Sequence, residues 1–148
     1  APGGGGRGRG VRGGGAGRAG AGWARRNGVP AVVGDLTAPV RGWPWFDVVT
    51  AVAPYVPTDA LRLLPSDVRR HEPVAALDGG IDGLALVRRV VRAASTVLRP
   101  GGRLVEELGG DQDEALSGDL ADAGFADVSA WHDGDGDLRG VVARRPAG

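Results

Sequence analysis

The feature that most limits the fold is a continuous apolar stretch, DVVTAVA at residues 47–53, which stops at Pro54, Tyr55 and Pro57. Apolar character that is continuous rather than alternating indicates a strand buried on both faces, as in the parallel sheets of α/β proteins. We therefore predict a buried strand over residues 47–53, followed by a rigid turn that carries an aromatic ring.

The other predicted elements fit the same α/β class. An apolar strand over residues 30–36 ends in an acid, and residues 23–27 read as the last turn of a helix with Gly28 as its C-cap. Asp82, and Asp111 with Glu114, have the spacing of helix N-caps. Further helices are predicted over residues 58–64, 84–98 and 111–123, and strands over residues 103–108, 127–132 and 138–144. The last two strands flank DGDGD and read as an antiparallel hairpin.

Residues 1–22 differ in composition from the rest of the chain. They are rich in glycine, and the first 28 residues contain six arginines and no acid, although the net charge of the chain is zero. Such a segment has little to bury against the entropy of ordering its glycines. We therefore predict a disordered segment over residues 1–22 and a folded domain over residues 23–148.

Composition also excludes several classes of protein. The chain has no cysteine, which rules out disulfides, thiolate metal sites and a cysteine nucleophile. No run approaches the roughly 18 consecutive apolar residues of a membrane helix. A length of 148 residues suits one domain. These features together predict a soluble cytoplasmic protein.

Several short segments match known motifs only in part. Residues 15–20 match G-x-G-x-x-G, but no strand is predicted before them, and low complexity favours a chance match. The Arg-Gly pairs of the same segment leave an RNA-binding module as an alternative function. DGDGD at residues 133–137 begins like a calcium loop, but Leu138 stands where glycine is needed. His71 and Glu72 lack the second histidine of H-E-x-x-H, so no metal site is predicted.

Asp35 and the Pro54-Tyr55 turn both follow predicted parallel strands. In open α/β sheets, ligands bind outside the carboxyl ends of the strands. The two features are therefore candidate ligand-binding positions, and the alternative that they merely end their strands remains open.

Longer segments carry a family resemblance over residues 23–145. In order they are ARRNGV, VVGDLTAPV, FDVVTAVAPYVPTDAL, HEPVAALDGGIDGL, LRPGGRLVEEL, ADAGFADV and VVARR. With them the chain resembles the class I S-adenosylmethionine-dependent methyltransferases that modify a protein glutamine, the release factor glutamine methyltransferase family, in a branch of protein N(5)-glutamine methyltransferases. The resemblance implies a Rossmann-like sheet of seven strands, S-adenosylmethionine as cofactor, and a protein substrate such as a translation release factor.

The resemblance also assigns cofactor-binding residues. It implies that the carboxylate of Asp35 lies near the adenine amino group and that Leu36 lies beside the adenine ring. An acceptor at that place is chemically sensible, because an exocyclic amine is a hydrogen-bond donor.

The substrate turn is implied in the same way. Val52, Ala53, Pro54 and Tyr55 occupy the place of the family's N-P-P-Y turn, in which the asparagine side-chain oxygen and the next carbonyl accept the two hydrogens of the substrate amide. Val52 replaces that asparagine and has no acceptor, whereas Ala53 still offers its carbonyl. The prolines and the tyrosine are expected to keep the turn rigid.

The chain departs from the family pattern in its first residues. The family's first two strands, its glycine-rich cofactor loop, its ribose-binding acid and its N-terminal helical domain are not recognisable in the sequence. We therefore expect the strand at residues 47–53 to form an open sheet edge, and the chain to be a truncated or frame-disrupted family member. A non-catalytic remnant of the family is the alternative to an active enzyme.

Overall fold

The structure, a computed structural model, describes residues 10–12, 17–42, 44 and 46–148 of the 148-residue chain. It divides into two compact units, Ala1–Gly42 and Trp43–Gly148. The composition of the sequence, by contrast, places the boundary between residues 22 and 23.

The first unit contains a short parallel pair of strands and one helix. The strands β1 (Gly10–Arg12) and β2 (Ala31–Val33) pair in parallel, and α1 (Gly17–Arg26) lies between them in the chain and packs on β2. Gly28 follows the helix with a φ of +69°, which glycine adopts without the steric cost of a side chain. The predicted end of a helix at residues 23–27 and its glycine cap are confirmed.

Disorder is predicted over residues 1–22, and the described part of that segment contains two regular elements. Residues 10–12 form β1, and α1 begins at Gly17, where Ala21 is almost fully buried. A strand therefore does precede the glycine motif of residues 15–20, contrary to the sequence prediction. Small residues hid these elements, because glycine and alanine give almost no hydrophobic periodicity to read. Residues 1–9 and 13–16, and so Gly15 itself, lie outside the described residues.

The second unit is a four-stranded mixed sheet with helices. Its strands are β3 (Phe46–Ala51), β4 (Leu98–Glu107), β5 (Ala126–His132) and β6 (Leu138–Arg144), and its helices are α2 (Ser66–His71), α3 (Ala85–Val97) and α4 (Gln112–Asp122). The order across the sheet is β3-β4-β6-β5, with β3 parallel to β4 and the other pairs antiparallel. The predicted α/β class and the C-terminal antiparallel hairpin are confirmed.

The core of this unit lies on the face of the sheet that α3 and α4 cover. Residues of α3 recur at helical spacing on its buried side: Val87, Val90, Val91, Ala94 and Val97. Leu116 and Leu120 of α4 are also fully buried. Each buried side chain of this size contributes about 1.5–3 kcal/mol, so these helices fix the sheet firmly. No helix among the described residues combines the length and apolar character of a membrane span.

Strand β3 differs from its prediction in an informative way. Within the described sheet it has one neighbour, β4, and Val48 is 50% exposed. The prediction of a strand buried on both faces is therefore wrong, whereas β3 is, as expected, the edge strand of the described sheet of the second unit. Continuous apolar character suits a central strand, but burial depends on which strands stand beside it.

The segment after β3 also departs from prediction. The short helix predicted over residues 58–64 is a 3₁₀ helix, Thr58–Leu63, and it is followed by a helical turn, Ser66–His71, for which no helix is predicted. Pro57 and Pro65 immediately precede these two elements. Proline fixes its own φ and disfavours a helical residue before it, so the chain is cut into short pieces.

Neither predicted N-cap acts as predicted. Leu84, not Asp82, occupies the N-cap of α3, and the Asp82 carboxylate accepts the Leu84 N–H and pairs with Arg88. These contacts, the Leu84 N–H first, lower the pKa of Asp82. Asp111 does occupy the N-cap of α4, but its side chain makes no capping bond.

Candidate functional site

The predicted substrate turn lies directly after the carboxyl end of β3. The strand ends at Ala51, Val52 is 71% exposed, and Ala53 is 6% exposed. Pro54 and Tyr55 are half-buried. The Val52 side chain is thus exposed to solvent, whereas the other three residues of the turn are partly or fully buried.

The first buried contact of the turn is a carboxyl group. The Ala53 N–H donates a hydrogen bond of 3.3 Å to Oε1 of Glu106, a fully buried residue of β4 that lies opposite Ala51 in the parallel register. Burial, and secondarily the charge of Glu107, raises the pKa of Glu106 to about 7, while the bond from Ala53 opposes the rise. Among the described residues, Glu106 Oε2 has no hydrogen-bond partner.

Tyr55 is held at both its ring and its backbone. Its hydroxyl donates a hydrogen bond of 2.9 Å to Glu107 Oε1, and its carbonyl accepts one of 2.8 Å from Nε2 of Gln112. Burial of the ring, followed by the bond to Glu107, raises the pKa of Tyr55. The phenol therefore remains neutral and acts as a hydrogen-bond donor.

A polar groove lies beside Tyr55, between the end of β4 and the β5–β6 hairpin. It encloses about 430 Å³ and is lined by Tyr55, Leu108, Gly109, Gly110, His132, Gly136, Asp137, Leu138 and Arg139. Arg139 forms an ion pair with Asp133, whose carboxylate also accepts the backbone N–H groups of Asp135 and Asp137. The hairpin is thus closed by its own polar contacts, and the groove beside it is open to solvent.

The predicted cofactor residues lie in the first unit. Asp35 is exposed two positions after the end of β2, and Leu36 is half-buried with a φ of +48°. Left-handed backbone costs a non-glycine residue roughly 1–2 kcal/mol. An apolar cavity of about 130 Å³ in this unit is lined by Gly20, Ala21, Trp23, Ala24, Val29, Pro30, Ala31 and Val32, and does not include Asp35.

The structure therefore brings together the four turn residues with Glu106, Glu107 and Gln112, whereas Asp35 and Leu36 belong to the other unit. Within the described ranges, no group of three or more His, Asp and Glu side chains is arranged to hold a metal ion. The turn offers backbone carbonyls as hydrogen-bond acceptors, and the Tyr55 carbonyl already accepts from Gln112.

Sequence reasoning missed Glu106 and Gln112. Glu106 had a readable signal, because it alternates with Leu104 and Leu108 and so occupies an inward position of its strand. Gln112 had none, because a polar residue in the first turn of a helix is ordinary. Its partners, Tyr55 and Asp82, are distant in sequence.

The chain is similar in sequence to known bacterial proteins. It is 40% identical over 116 residues to the release factor glutamine methyltransferase of Prochlorococcus marinus, covering 77% of this chain and 39% of that protein. It is 49% identical over 104 residues to the enzyme of the same name from Moorella thermoacetica, covering 68% and 36%. No family model matches the chain. The matched part of the chain thus spans less than two fifths of the length of each of these two relatives.

The fold has a counterpart among solved structures. A structure of the E. cuniculi Mtq2–Trm112 complex, responsible for methylation of the eRF1 translation termination factor, matches 80% of this chain and 62% of that chain with a TM-score of 0.52. The sequence identity is 18%, so this likeness establishes the fold alone. The fold is that of part of a class I methyltransferase, and the chain is homologous to release factor glutamine methyltransferases over about 70% of its length.

Proposed function

We propose that this chain, a homologue of release factor glutamine methyltransferases, acts in the cytoplasm in S-adenosylmethionine-dependent methyl transfer to a glutamine side-chain amide of a protein such as a translation release factor. The observation that carries the proposal is the turn of residues 52–55. It follows a parallel strand at the sheet edge where α/β proteins bind ligands, and buried side chains hold it in place.

The turn supplies what an amide substrate needs. An amide nitrogen is a poor nucleophile because its lone pair is delocalised, so the amide must be aimed at the methyl donor and its charge stabilised. The Ala53 carbonyl can accept one amide N–H. As the N–C bond to the transferred methyl group forms, the methyl–sulfur bond breaks with its electron pair remaining on sulfur, and the nitrogen loses one proton to solvent. When bound, S-adenosylmethionine supplies an electrophilic methyl group on a sulfonium ion.

The residues proposed for the cofactor are Asp35 and Leu36. The exposed carboxylate of Asp35 can accept a hydrogen bond from the adenine amino group. The positive φ of Leu36 is a backbone outlier of the kind that clusters at functional sites. These observations fit the adenine end of the cofactor.

The lack of a hydrogen-bond acceptor at Val52 is expected to lower the rate of methyl transfer. It occupies the place of an asparagine acceptor and is 71% exposed, so it can be exchanged without disturbing the core. A lost hydrogen bond to a substrate amide costs about 1–3 kcal/mol, or about 5- to 150-fold in rate. We predict that Val52→Asn raises methyl transfer by a factor in this range, whereas Val52→Leu, which adds no acceptor, does not.

The measurement is transfer of a radiolabelled methyl group to a glutamine-containing release factor domain, with the same domain carrying Gln→Ala as the control substrate. Cofactor binding is measured by calorimetry in parallel. No binding at millimolar S-adenosylmethionine would refute the proposed function. Binding without transfer, even in Val52→Asn, would favour a non-catalytic remnant. No observation on the described residues favours the RNA-binding alternative, whose Arg-Gly segment lies mostly outside them.

A further inference from the structure

One buried side chain joins three separate segments around the substrate turn. Gln112 is 7% exposed, and its Nε2 donates to the carbonyls of Tyr55 and Asp82 at 2.8 Å and 3.3 Å. Its Oε1 accepts the Gly109 N–H at 3.2 Å. The turn after β3, the loop before α3 and the loop after β4 thus meet at a single amide group.

The partners also fix which way the amide points. Two carbonyl oxygens require a donor, and one backbone N–H requires an acceptor. Only the orientation with Nε2 toward Tyr55 and Asp82 satisfies all three. A carboxylate at this position could accept from Gly109 but could not donate to either carbonyl.

Two glycines let the chain come this close. A Cβ at Gly83 would collide with the Tyr55 carbonyl oxygen and with Gln112 Nε2, and a Cβ at Gly79 would approach the Pro54 carbonyl oxygen within 2.7 Å. Next to Tyr55, the Val56 N–H donates to the Leu77 carbonyl at 3.1 Å. The turn therefore packs backbone to backbone against the 77–83 loop, and Gln112 closes the contact.

We propose that Gln112 is a positioning residue of the substrate turn: its amide fixes the Tyr55 carbonyl and thereby the direction in which the turn presents the Ala53 carbonyl. The proposal rests on the proposed function for its link to methyl transfer. Glu106 holds the opposite end of the same short segment through the Ala53 N–H, so the acceptor carbonyl lies between two buried anchors.

The test replaces only the NH₂ group of the Gln112 amide, which is the hydrogen-bond donor, by an oxygen. In Gln112→Glu, the group keeps its acceptor for Gly109, but it can donate to Tyr55 only when protonated. We expect the ¹³C shift of the Tyr55 carbonyl, measured by NMR, to differ from that of the wild-type chain at pH 8 and to return to it near pH 4. Comparison with the wild-type chain at each pH removes the effect of Glu106 and Glu107.

Two further variants calibrate the result. Gln112→Leu should shift the Tyr55 carbonyl signal at every pH and raise hydrogen exchange at Val56 about tenfold, the equivalent of about 1.4 kcal/mol. Glu114→Gln, an exposed change on the same helix, should do neither. If Gln112→Leu does not fold, Gln112→Glu decides alone.

The outcomes separate this inference from the proposed function. A Tyr55 carbonyl signal in Gln112→Glu that equals wild type at all pH values overturns the positioning role, because packing alone would not depend on the donor. Absence of methyl transfer in both the wild-type chain and Val52→Asn refutes the proposed function and leaves the carbonyl signal to decide on Gln112. If transfer occurs, Gln112→Glu should lower kcat at pH 8 by about tenfold, with KM changed less than twofold.

Discussion

The two candidate segments, each placed after a parallel strand, are held in different ways. Asp35 and Leu36 follow the three-residue strand β2, and Asp35 is exposed. The turn after β3 is tied to β4 and α4 by side-chain hydrogen bonds that span 52 to 57 residues of sequence. The first segment includes a local backbone hydrogen bond from the Ala38 N–H to the Asp35 carbonyl, whereas the second is held by side-chain contacts from distant parts of the chain.

This difference has a consequence for mutation. Where buried polar groups hold a segment, removal of one partner leaves another unsatisfied and costs about 1–3 kcal/mol. Where a residue is exposed, substitutions usually change stability by less than about 0.5 kcal/mol. Variants of the buried groups that hold the turn, Glu106 and Gln112, should therefore change folding and function together, whereas variants at the exposed Asp35 should change function alone.

The largest effect is expected at Gly83. Its φ is +75°, and a Cβ there would collide with the Tyr55 carbonyl oxygen. We expect Gly83→Ala to lower the free energy of unfolding by about 3 kcal/mol, through left-handed strain and overlap with backbone. Urea titration followed by circular dichroism measures it. Gly110→Ala is the control, because Gly110 has a φ of +62° but open space around it, and it should lose only about 1 kcal/mol. Equal losses would contradict the close approach at Gly83.

The next effect is the pH dependence set by Glu106. Its pKa in the folded chain, about 7, lies above the ordinary 4.5, so the folded state binds more protons between these values. Stability should therefore fall as pH rises from about 4.5 to 7, by about 3 kcal/mol in all. Glu106→Gln keeps an acceptor for the Ala53 N–H without the charge, and should remove this slope and be the more stable form at pH 8.

Urea titrations at pH 4.5, 6 and 8 measure that slope. Glu106→Leu is the matched control, since it is also free of charge but leaves the Ala53 N–H without its acceptor. It should lack the slope and be about 1 kcal/mol less stable than Glu106→Gln. A slope that persists in Glu106→Gln would show that another group causes it.

The smallest effect on folding is expected at Asp35. Asp35→Ala should change the free energy of unfolding by less than about 0.5 kcal/mol, because the residue is exposed. It should weaken S-adenosylmethionine binding about tenfold in calorimetry, through loss of the adenine acceptor. Asp35→Asn keeps an acceptor oxygen and should bind more tightly than Asp35→Ala. Unchanged binding in Asp35→Ala would remove this residue from the proposed site.

The sequence allowed much of the second unit to be predicted. The spacing of apolar residues gave α3, and the turn-rich DGDGD gave the hairpin of β5 and β6, because both signals are local and strong. The glycine-rich elements β1 and the start of α1 were missed, since small residues carry no periodic signal.

Half of the candidate site was predictable for the same reason. Residues 52–55 and Asp35 stand at the ends of apolar runs, where a strand must stop. Glu106 and Gln112 hold the turn from elements that begin more than forty residues later in the chain. No local pattern connects them to it.

The sequence by itself therefore determined where the strands and longer helices of the second unit form and which residues follow the strands, because these depend on neighbours in the chain. Only the tertiary structure decided that the Val48 side chain of β3 is half-exposed, that Glu106 is buried against the Ala53 N–H, and that Gln112 joins three loops. The physical reason is that burial and hydrogen-bond pairing depend on which segments meet in space, and 52 to 57 residues separate the partners here.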